Sequence, residues 1–347
     1  MARPRVLQAM AGSRHGGAEA FFTRLVIALH RAGLEQRVVI RRDPARAARL
    51  RAAGIEPIEL RFGNALDICT RVRLGQEIRR WRPDIVLSWM NRATALVPPH
   101  FFAGPYVHVA RLGGYYDLKY YRQCDHLIGN TRDIVAYIER SGWPKDRAHF
   151  VPNFVDDAPA EPIDRRALAT PIDAAVVLAM GRLHPNKAFD VAIDAVALMP
   201  GVWLWLAGEG EERALLEAQA AKLGVSERVK FLGWREDVGA LLAGADLLVC
   251  PSRHEPLGNV VIEAWARSCP VVAAASQGPK ALIEDGRTGI LVPIDDAAAL
   301  AAAVKKVIGD AALAARLASE GRASYESAFT EAAVVRHYLD LFSRMIE

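Results

Sequence analysis

The sequence predicts an α/β protein of two parallel-sheet domains, and three observations carry that expectation. With 347 residues, 52% hydrophobic and 24% charged, the chain is too long for one ordinary core and suits two. Short apolar runs alternate with segments of helical period along nearly all of it, the pattern of strands joined by crossover helices. The stretch Val151-Pro-Asn-Phe-Val-Asp-Asp-Ala-Pro-Ala-Glu-Pro162, rich in turn formers and carrying three prolines, interrupts the alternation and reads as a linker.

In the first series the apolar runs place strands near 6–10, 37–40, 57–60, 85–88, 106–110 and 126–129, with helices at 18–31, 45–53, 67–81 and 131–141. Short connections and intervening helices imply parallel strands and right-handed crossovers, so this half is Rossmann-like. The second series places strands at 175–180, 202–207, 229–232, 247–250, 271–274 and 290–292, separated by helices that include 189–198, 211–223 and 259–268. Trp203 and Trp205 share one of these strands and are read as structural, on opposite sides of it. The chain ends in a long amphipathic helix, 330–346, with Thr330 as its N-cap. Two such domains imply a cleft between them as the place for ligands.

Composition narrows the function classes. No segment reaches the eighteen consecutive apolar residues of a membrane span, and residues 5–10 enter a strand at once without a signal peptide, so a cytoplasmic protein is expected, at most peripheral on the inner face of an anionic membrane. Cys69, Cys124, Cys250 and Cys269 are scattered, which argues against a disulfide framework or a zinc site. Net charge is only +4 but unevenly divided: residues 1–150 hold 25 Lys and Arg against 13 Asp and Glu, the remainder 19 against 27. Arginine-rich segments at 41–51 and 71–82 suit an anionic lipid, an anionic saccharide or nucleic acid, or are simply solvated helix faces. Aromatics do not interleave with them as base-stacking platforms do, so nucleic acid is not expected as a partner. No amphipathic membrane anchor stands out.

Three motifs carry chemistry. His254-Glu-Pro-Leu-Gly-Asn-Val-Val-Ile-Glu263 follows the strand at 247–250 and opens a helix, which places its turn at the carboxyl end of a strand, where open α/β sheets bind ligands. Amides around Gly258, Asn259 and Val260 are expected to face a phosphate there, with Glu255 in the loop and Glu263 a turn into the helix. Val176-Val-Leu-Ala-Met-Gly-Arg-Leu-His-Pro-Asn-Lys187 is a strand, a Gly181 turn and two cations, Arg182 and Lys187, suited to the charge that develops on a departing diphosphate. Ala11-Gly-Ser-Arg-His-Gly-Gly-Ala-Glu19 follows the first strand, where Gly16 and Gly17 would let backbone approach a ligand; the pattern is not G-x-G-x-x-G, which argues against a nicotinamide cofactor. A plain strand-to-helix turn is the competing reading of that last motif.

Gly16-Gly17, Asn153-Phe-Val-Asp156, Gly181-Arg-Leu with Lys187, Phe231-Leu-Gly-Trp234 and the E-x7-E element occur in the order seen in retaining glycosyltransferases of family 4 (glycosyl transferases group 1), which the chain resembles over nearly its whole length. The resemblance implies the GT-B architecture, two Rossmann-like domains facing across a cleft, with the last helix crossing back to the first. The domains would then be 1–155 with 330–347, on the acceptor side, and 156–329, which binds the donor. It further implies a nucleotide-sugar donor, UDP- or GDP-linked with UDP favoured, and a saccharide or lipid-linked acceptor of the cell envelope. Arg182 and Lys187 would hold the diphosphate, Glu255 would touch the transferred sugar, and Glu263 would bind the ribose. The amides near Leu257 to Asn259 would meet the sugar and distal phosphate, and the Gly233-Trp234 region would border the base. Metal independence is implied as well and fits the lack of an Asp-x-Asp motif; no cofactor is expected, and Asp156-Asp157 and Asp295-Asp296 are read as turn or cap residues.

The chain departs from the family's pattern at Lys187-Ala188, where Lys-Gly is common, and in the first domain, where many relatives place a histidine after a central strand. Here Val107-His-Val-Ala-Arg-Leu-Gly-Gly-Tyr115 offers His108, read more readily as a packing histidine, and Arg111, read as the better pocket residue for an anionic acceptor. A nucleotide-sugar epimerase of the same architecture and a non-catalytic basic binding protein are the competing functions. The Gly181-Arg-Leu and E-x7-E elements disfavour the first, and retention of both glutamates and both cations disfavours the second.

Overall fold

Apolar runs of three to six residues, too short for stable helices, form the strands, and amphipathic segments between them form the helices that cover both sheet faces. The computed structural model describes residues 4–13, 16–64, 67–155 and 157–347, which fall into two units, Met1–Phe154 with Glu331–Glu347 and Val155–Thr330.

The first unit runs β1 (Val6–Met10), α1 (Gly17–Arg31), β2 (Gln36–Arg41), α2 (Pro44–Ala52), β3 (Ile58–Leu60), α3 (Ile68–Trp81), β4 (Ile85–Trp89), α4 (Met90–Leu96), α5 (His100–Ala103), β5 (Val107–Leu112), β6 (His126–Gly129), α6 (Arg132–Arg140) and β7 (Ala148–Phe150). The strands make one seven-stranded sheet in the order β3-β2-β1-β4-β5-β6-β7, parallel at every pairing. Every residue of β1 and β4 is buried, as central strands covered on both faces require. Asp43, Asp67 and Thr131 cap α2, α3 and α6 by accepting the amides of Arg46, Thr70 and Ile134, each at 3.0 Å. Sequence patterning misses α4, α5 and β7: α5 is a single turn set off by Pro98-Pro99, and β7 is three half-buried residues at the sheet edge.

The second unit runs β8 (Ala175–Met180), α7 (Phe189–Ala197), β9 (Val202–Ala207), α8 (Arg213–Lys222), β10 (Val229–Gly233), α9 (Val238–Gly244), β11 (Leu247–Cys250), α10 (Asn259–Trp265), β12 (Val271–Ala274), α11 (Gln277–Leu282), β13 (Ile290–Val292), α12 (Ala297–Gly309) and α13 (Ala311–Ala328). Its six strands are ordered β10-β9-β8-β11-β12-β13, again all parallel. Trp203 and Trp205 pack with the same apolar cluster, not on opposite sides, because residues two apart share a face of a strand. Asp296 caps α12 as a turn residue should, accepting Ala299 N–H at 2.8 Å. Cys124, Cys250 and Cys269 are buried and Cys69 is exposed, all four as free thiols. Burial raises the Cys250 thiol to about 11, which keeps it protonated and inert at neutral pH.

The last helix, α14 (Glu331–Ile346), belongs to the first unit, where Val334, Tyr338, Leu341 and Phe342 complete a core with Phe21, Phe22 and Leu25 of α1. Arg111 on β5 locks it there. Its Nε donates to Tyr338 Oη at 2.9 Å, its other arm donates to Asn153 Oδ1, and the guanidinium lies over the rings of Phe21 and Trp89 at 4.6 and 4.7 Å. Among the described residues no carboxylate pairs with this buried cation, which depends on hydrogen-bond acceptors and ring faces. Among the described residues no helix is long and apolar enough to cross a membrane. Tyr338→Phe, which leaves the volume but removes the acceptor from a charged donor, is expected to cost about 2 kcal/mol in urea unfolding; a change within error would show that the aromatic faces alone hold Arg111.

Candidate active site

The second sheet reverses its winding between β8 and β11: β9 and β10 lie on one side, β12 and β13 on the other. Loops leaving the carboxyl ends of these two neighbours part in opposite directions and open a crevice, the usual ligand position in such sheets. Both chemical motifs of this unit leave from those two ends. Gly181 to Lys187 follows β8, and Pro251 to Gly258 follows β11.

The two loops are joined by charge and by backbone. Lys187 Nζ forms an ion pair with Glu255 Oε2, with 24% of the lysine side chain and 11% of the glutamate side chain exposed, and His254 N–H donates to the Asn186 carbonyl at 3.1 Å. The other carboxylate oxygen of Glu255 accepts Gly258 N–H at 3.3 Å. That amide therefore points at a side chain of its own loop, a correction to the expectation that it faces a phosphate. Gly258 and Leu257 are buried, whereas Asn259, Val260 and Glu263, on α10, are half-buried. Arg182 is exposed beside Gly181.

Neighbouring loops hold this pair of loops in place, and sequence reasoning missed most of them. Gly278 at the start of α11 donates its N–H to the Glu255 carbonyl at 2.7 Å, and a Cβ on it would fall 2.5 Å from the Leu257 carbonyl carbon; only glycine permits that approach. Its place just after β12, next to β11 in the sheet, is the signal that could have found it. Arg253 grips Asp190 of α7 with both nitrogens at 2.9 and 2.6 Å, bonds Asp295 at 2.5 Å and donates to the Pro185 carbonyl at 3.0 Å. Asp295 is thus half of a clamp as well as a turn residue. On the far side of β8, Gly181 and Leu183 donate to the Ala207 and Glu209 carbonyls at 3.0 Å, and Gly208 N–H donates to the Gly233 carbonyl at 2.8 Å. This brings the end of β10, and after it the 70% exposed Trp234, beside the Gly181 turn.

The remaining predicted residues lie in the first unit. Gly16 precedes α1 because Glu19 folds back over it: a Cβ there would sit 2.2 Å from Glu19 Oε2. Glu19 Oε1 in turn accepts Ser13 N–H and Oγ–H at 2.7 and 2.9 Å, so part of the demand for glycine is internal packing. Gly17 has open space around its Cα; Arg14 and His15 of this motif, like Asp156 of the linker, lie outside the described residues. His108 and Arg111 are both buried away from solvent. Arg111 is 2% exposed and engaged by Tyr338 and Asn153, so an anionic acceptor cannot reach it. His108 is 1% exposed, 3.0 Å from Ser88 Oγ, and burial pushes its imidazole down to about 4. Its packing reading holds.

A partly buried lysine and glutamate that neutralise each other, with an exposed arginine and a second carboxylate nearby in sequence, make a site that can bind an anion and orient hydroxyls without a covalent nucleophile. Two parallel-sheet units, one of them carrying such a site, are the pattern of the GT-B glycosyltransferases. The sequence profile described as Glycosyltransferase Family 4 matches residues 15–158, and the profile of Glycosyl transferases group 1 matches residues 160–324. The chain is 40% identical over 334 residues to the lipopolysaccharide core biosynthesis glycosyltransferase LpsE of Rhizobium meliloti strain 1021, covering 95% of this chain and 96% of that protein. It is 37% identical over 333 residues to LpsD of the same strain, covering 95% of each. The crystal structure of Anabaena Alr3699/HepE in complex with UDP and glucose shares the fold at a TM-score of 0.85 and 24% identity, across 98% of this chain and all of that one. The chain belongs to the glycosyltransferase group 1 and family 4 lineage.

His108 supplies a pH test of the burial. The unfolded chain gains a proton near pH 6.5, whereas the folded imidazole stays neutral down to about 4, so its contribution is complete above 6.5 and is lost as pH falls through that window. Replacing it in His108→Asn should remove roughly 2 kcal/mol of the stability difference between unfolding near pH 7 and near pH 5, leaving the share of His149, which burial also pushes down to about 4. An unchanged pH slope would place His108 in contact with water.

Proposed function

We propose that the chain transfers a sugar from a UDP-sugar, in preference to a GDP-sugar, to a saccharide or lipid-linked acceptor in assembly of the lipopolysaccharide core, with retention of anomeric configuration and without a metal. The observation that carries this reading is the Lys187–Glu255 pair, held in the β8/β11 crevice by loops from both strands. The names of LpsE and LpsD support the acceptor class, and the UDP and glucose bound to the Anabaena protein support the donor.

In this reading Arg182 and Lys187 receive the donor diphosphate, and Glu263 hydrogen-bonds the ribose. Trp234 borders the base, and the Leu257 to Val260 segment lines the sugar and distal phosphate. Phosphate draws Lys187 partly away from Glu255, whose carboxylate then accepts hydroxyls of the transferred sugar and favours positive charge at its anomeric carbon. The acceptor oxygen bonds to that carbon on the face the diphosphate leaves; the carbon–oxygen bond to phosphate breaks, and the acceptor proton passes to the departing phosphate oxygen. Cations fixed where charge grows on the leaving group lower the barrier because the charge is larger in the transition state than in the bound donor. Gly16 and Gly17, at the start of α1, are proposed to contact the donor from the first unit.

A thermal-shift series with UDP, GDP, ADP and their sugars, without metal, should give a stabilisation selective for the uridine nucleotides that Arg182→Ala abolishes; stabilisation by none of them would defeat the reading. Lys187→Ala should lower kcat by about 10²–10³-fold, the loss typical of removing one preorganised charge-stabilising group. Chelator should leave the rate unchanged, and proton spectra of the first product formed should show the donor's anomeric configuration; inversion would require a different placement of the acceptor.

A further inference from the structure

The loop that brings Lys187 to the crevice owes its shape to a histidine. After the buried Leu183, His184 is extended (φ −142°, ψ 147°), Pro185–Lys187 make a single tight turn, and Ala188 enters α7 from the left-handed region at φ 51°. A residue other than glycine is strained there, so the turn before it has to be held in place. Its amides can be accounted for one by one. Pro185 has none, Asn186 N–H donates to His184 Nδ1 at 3.1 Å, Lys187 N–H to the His184 carbonyl at 2.8 Å, and Ala188 N–H to the Pro185 carbonyl at 3.2 Å. His184 thus takes two of the three amides between Asn186 and Ala188.

The aim of Lys187 follows from this turn. Its stem passes over Gly181, where a Cβ would sit 3.3 Å from Lys187 Cε, and its ammonium ends on Glu255. The Pro185 and Asn186 carbonyls are tied to the loop after β11, by Arg253 at 3.0 Å and His254 N–H at 3.1 Å. On the amide side the tie is the imidazole. The usual N-caps, Ser, Thr, Asp and Asn, offer an oxygen that still accepts at any pH near neutrality. An imidazole accepts only while Nδ1 is bare, with the single proton of the neutral ring on Nε2. A second proton turns Nδ1 into a donor facing the Asn186 donor. Water can deliver that proton, since 38% of the His184 side chain is exposed, and Glu211, in the loop after β9, lies 3.7 Å from Nε2 and gives the imidazolium a partner outside the turn. The other charges along this loop are Arg182, which is exposed, and Lys187, which is turned to Glu255.

We propose that His184 is a positioning residue that makes donor binding depend on pH: the neutral ring caps the turn that aims Lys187, and a proton on Nδ1 releases it. The proposal rests on the reading of Lys187 as a diphosphate contact and adds to it a group that never touches the donor. Acid therefore weakens binding through the turn. A histidine that met the phosphate directly would act the other way, because its positive charge would strengthen the grip.

The test is calorimetric titration of the full chain with UDP at about pH 7.5 and about pH 5.5, on either side of ordinary imidazole titration, for wild type, His184→Asn and His184→Ala. Asparagine keeps the accepting atom and does not titrate. Near pH 7.5 it should bind UDP within about twofold of wild type, while alanine, which removes the cap, binds about fivefold more weakly. Near pH 5.5 wild type should fall about fivefold relative to His184→Asn and approach His184→Ala. The terminal phosphate of UDP gains a proton over the same range for all three proteins, so the ratios between them carry the result. Hydrogen exchange of the Asn186 amide in the free protein, corrected for its intrinsic pH dependence, should show protection that wild type loses in acid, that His184→Asn keeps and that His184→Ala lacks at both values. A ratio of wild type to His184→Asn that does not change with pH, tighter binding by wild type in acid, or equal Asn186 protection in wild type and His184→Ala would overturn the proposal. UDP binding by none of the three, with the exchange pattern as expected, would overturn the donor reading and leave His184 as the cap of the turn; the exchange needs no ligand, so the two failures are told apart.

Discussion

Reversal of winding between β8 and β11 is the constraint on which the candidate site depends. Right-handed crossovers put successive helices on one face as a parallel sheet grows outward from a strand, and on the other face when it grows the opposite way. Two loops that leave adjacent strands at that point must diverge. The space between them is a consequence of chain topology, and the Gly181 to Lys187 and Pro251 to Gly258 loops are the two that border it. Nothing in either loop taken alone would create a site.

Within that space the Lys187–Glu255 pair joins the two loops. Both ions are largely withdrawn from water, which is unfavourable for each alone and tolerable only together with the extra hydrogen bond from Gly258. Such a pair is poised: an arriving anion gives the lysine a second partner and leaves the carboxylate available to hydroxyl donors. The surrounding clamp of Arg253 on Asp190 and Asp295, and the close approach of Gly278 to the Glu255 backbone, keep the loops from relaxing apart. Preorganisation of this kind is what lets electrostatics contribute to a rate, because the groups need not reorient as charge develops.

The first unit uses its cations differently. Arg111 is buried among Phe21, Trp89, Tyr338 and Asn153 and ties the carboxyl-terminal helix into a core assembled from the amino-terminal residues. The arginines of α3 stay exposed. An arginine count cannot separate these uses; burial does, and it turns one expected ligand contact into an internal strut.

Period and composition alone determined the two parallel α/β units, nearly every strand, and the three loops where chemistry could sit, because apolar period reports burial on two sheet faces and turn formers mark loop ends. The motif order also pointed to the glycosyltransferase family. Short elements such as α4, α5 and β7 escaped because one turn or three residues carry no readable period. Only the tertiary structure decided that Glu255 meets Lys187 across 68 positions, that Arg111 and His108 face inward, that Gly278 is needed beside Glu255, and that Phe101 and Phe102 face outward. Each depends on which distant segment fills the space next to a side chain, and a local pattern holds no record of that.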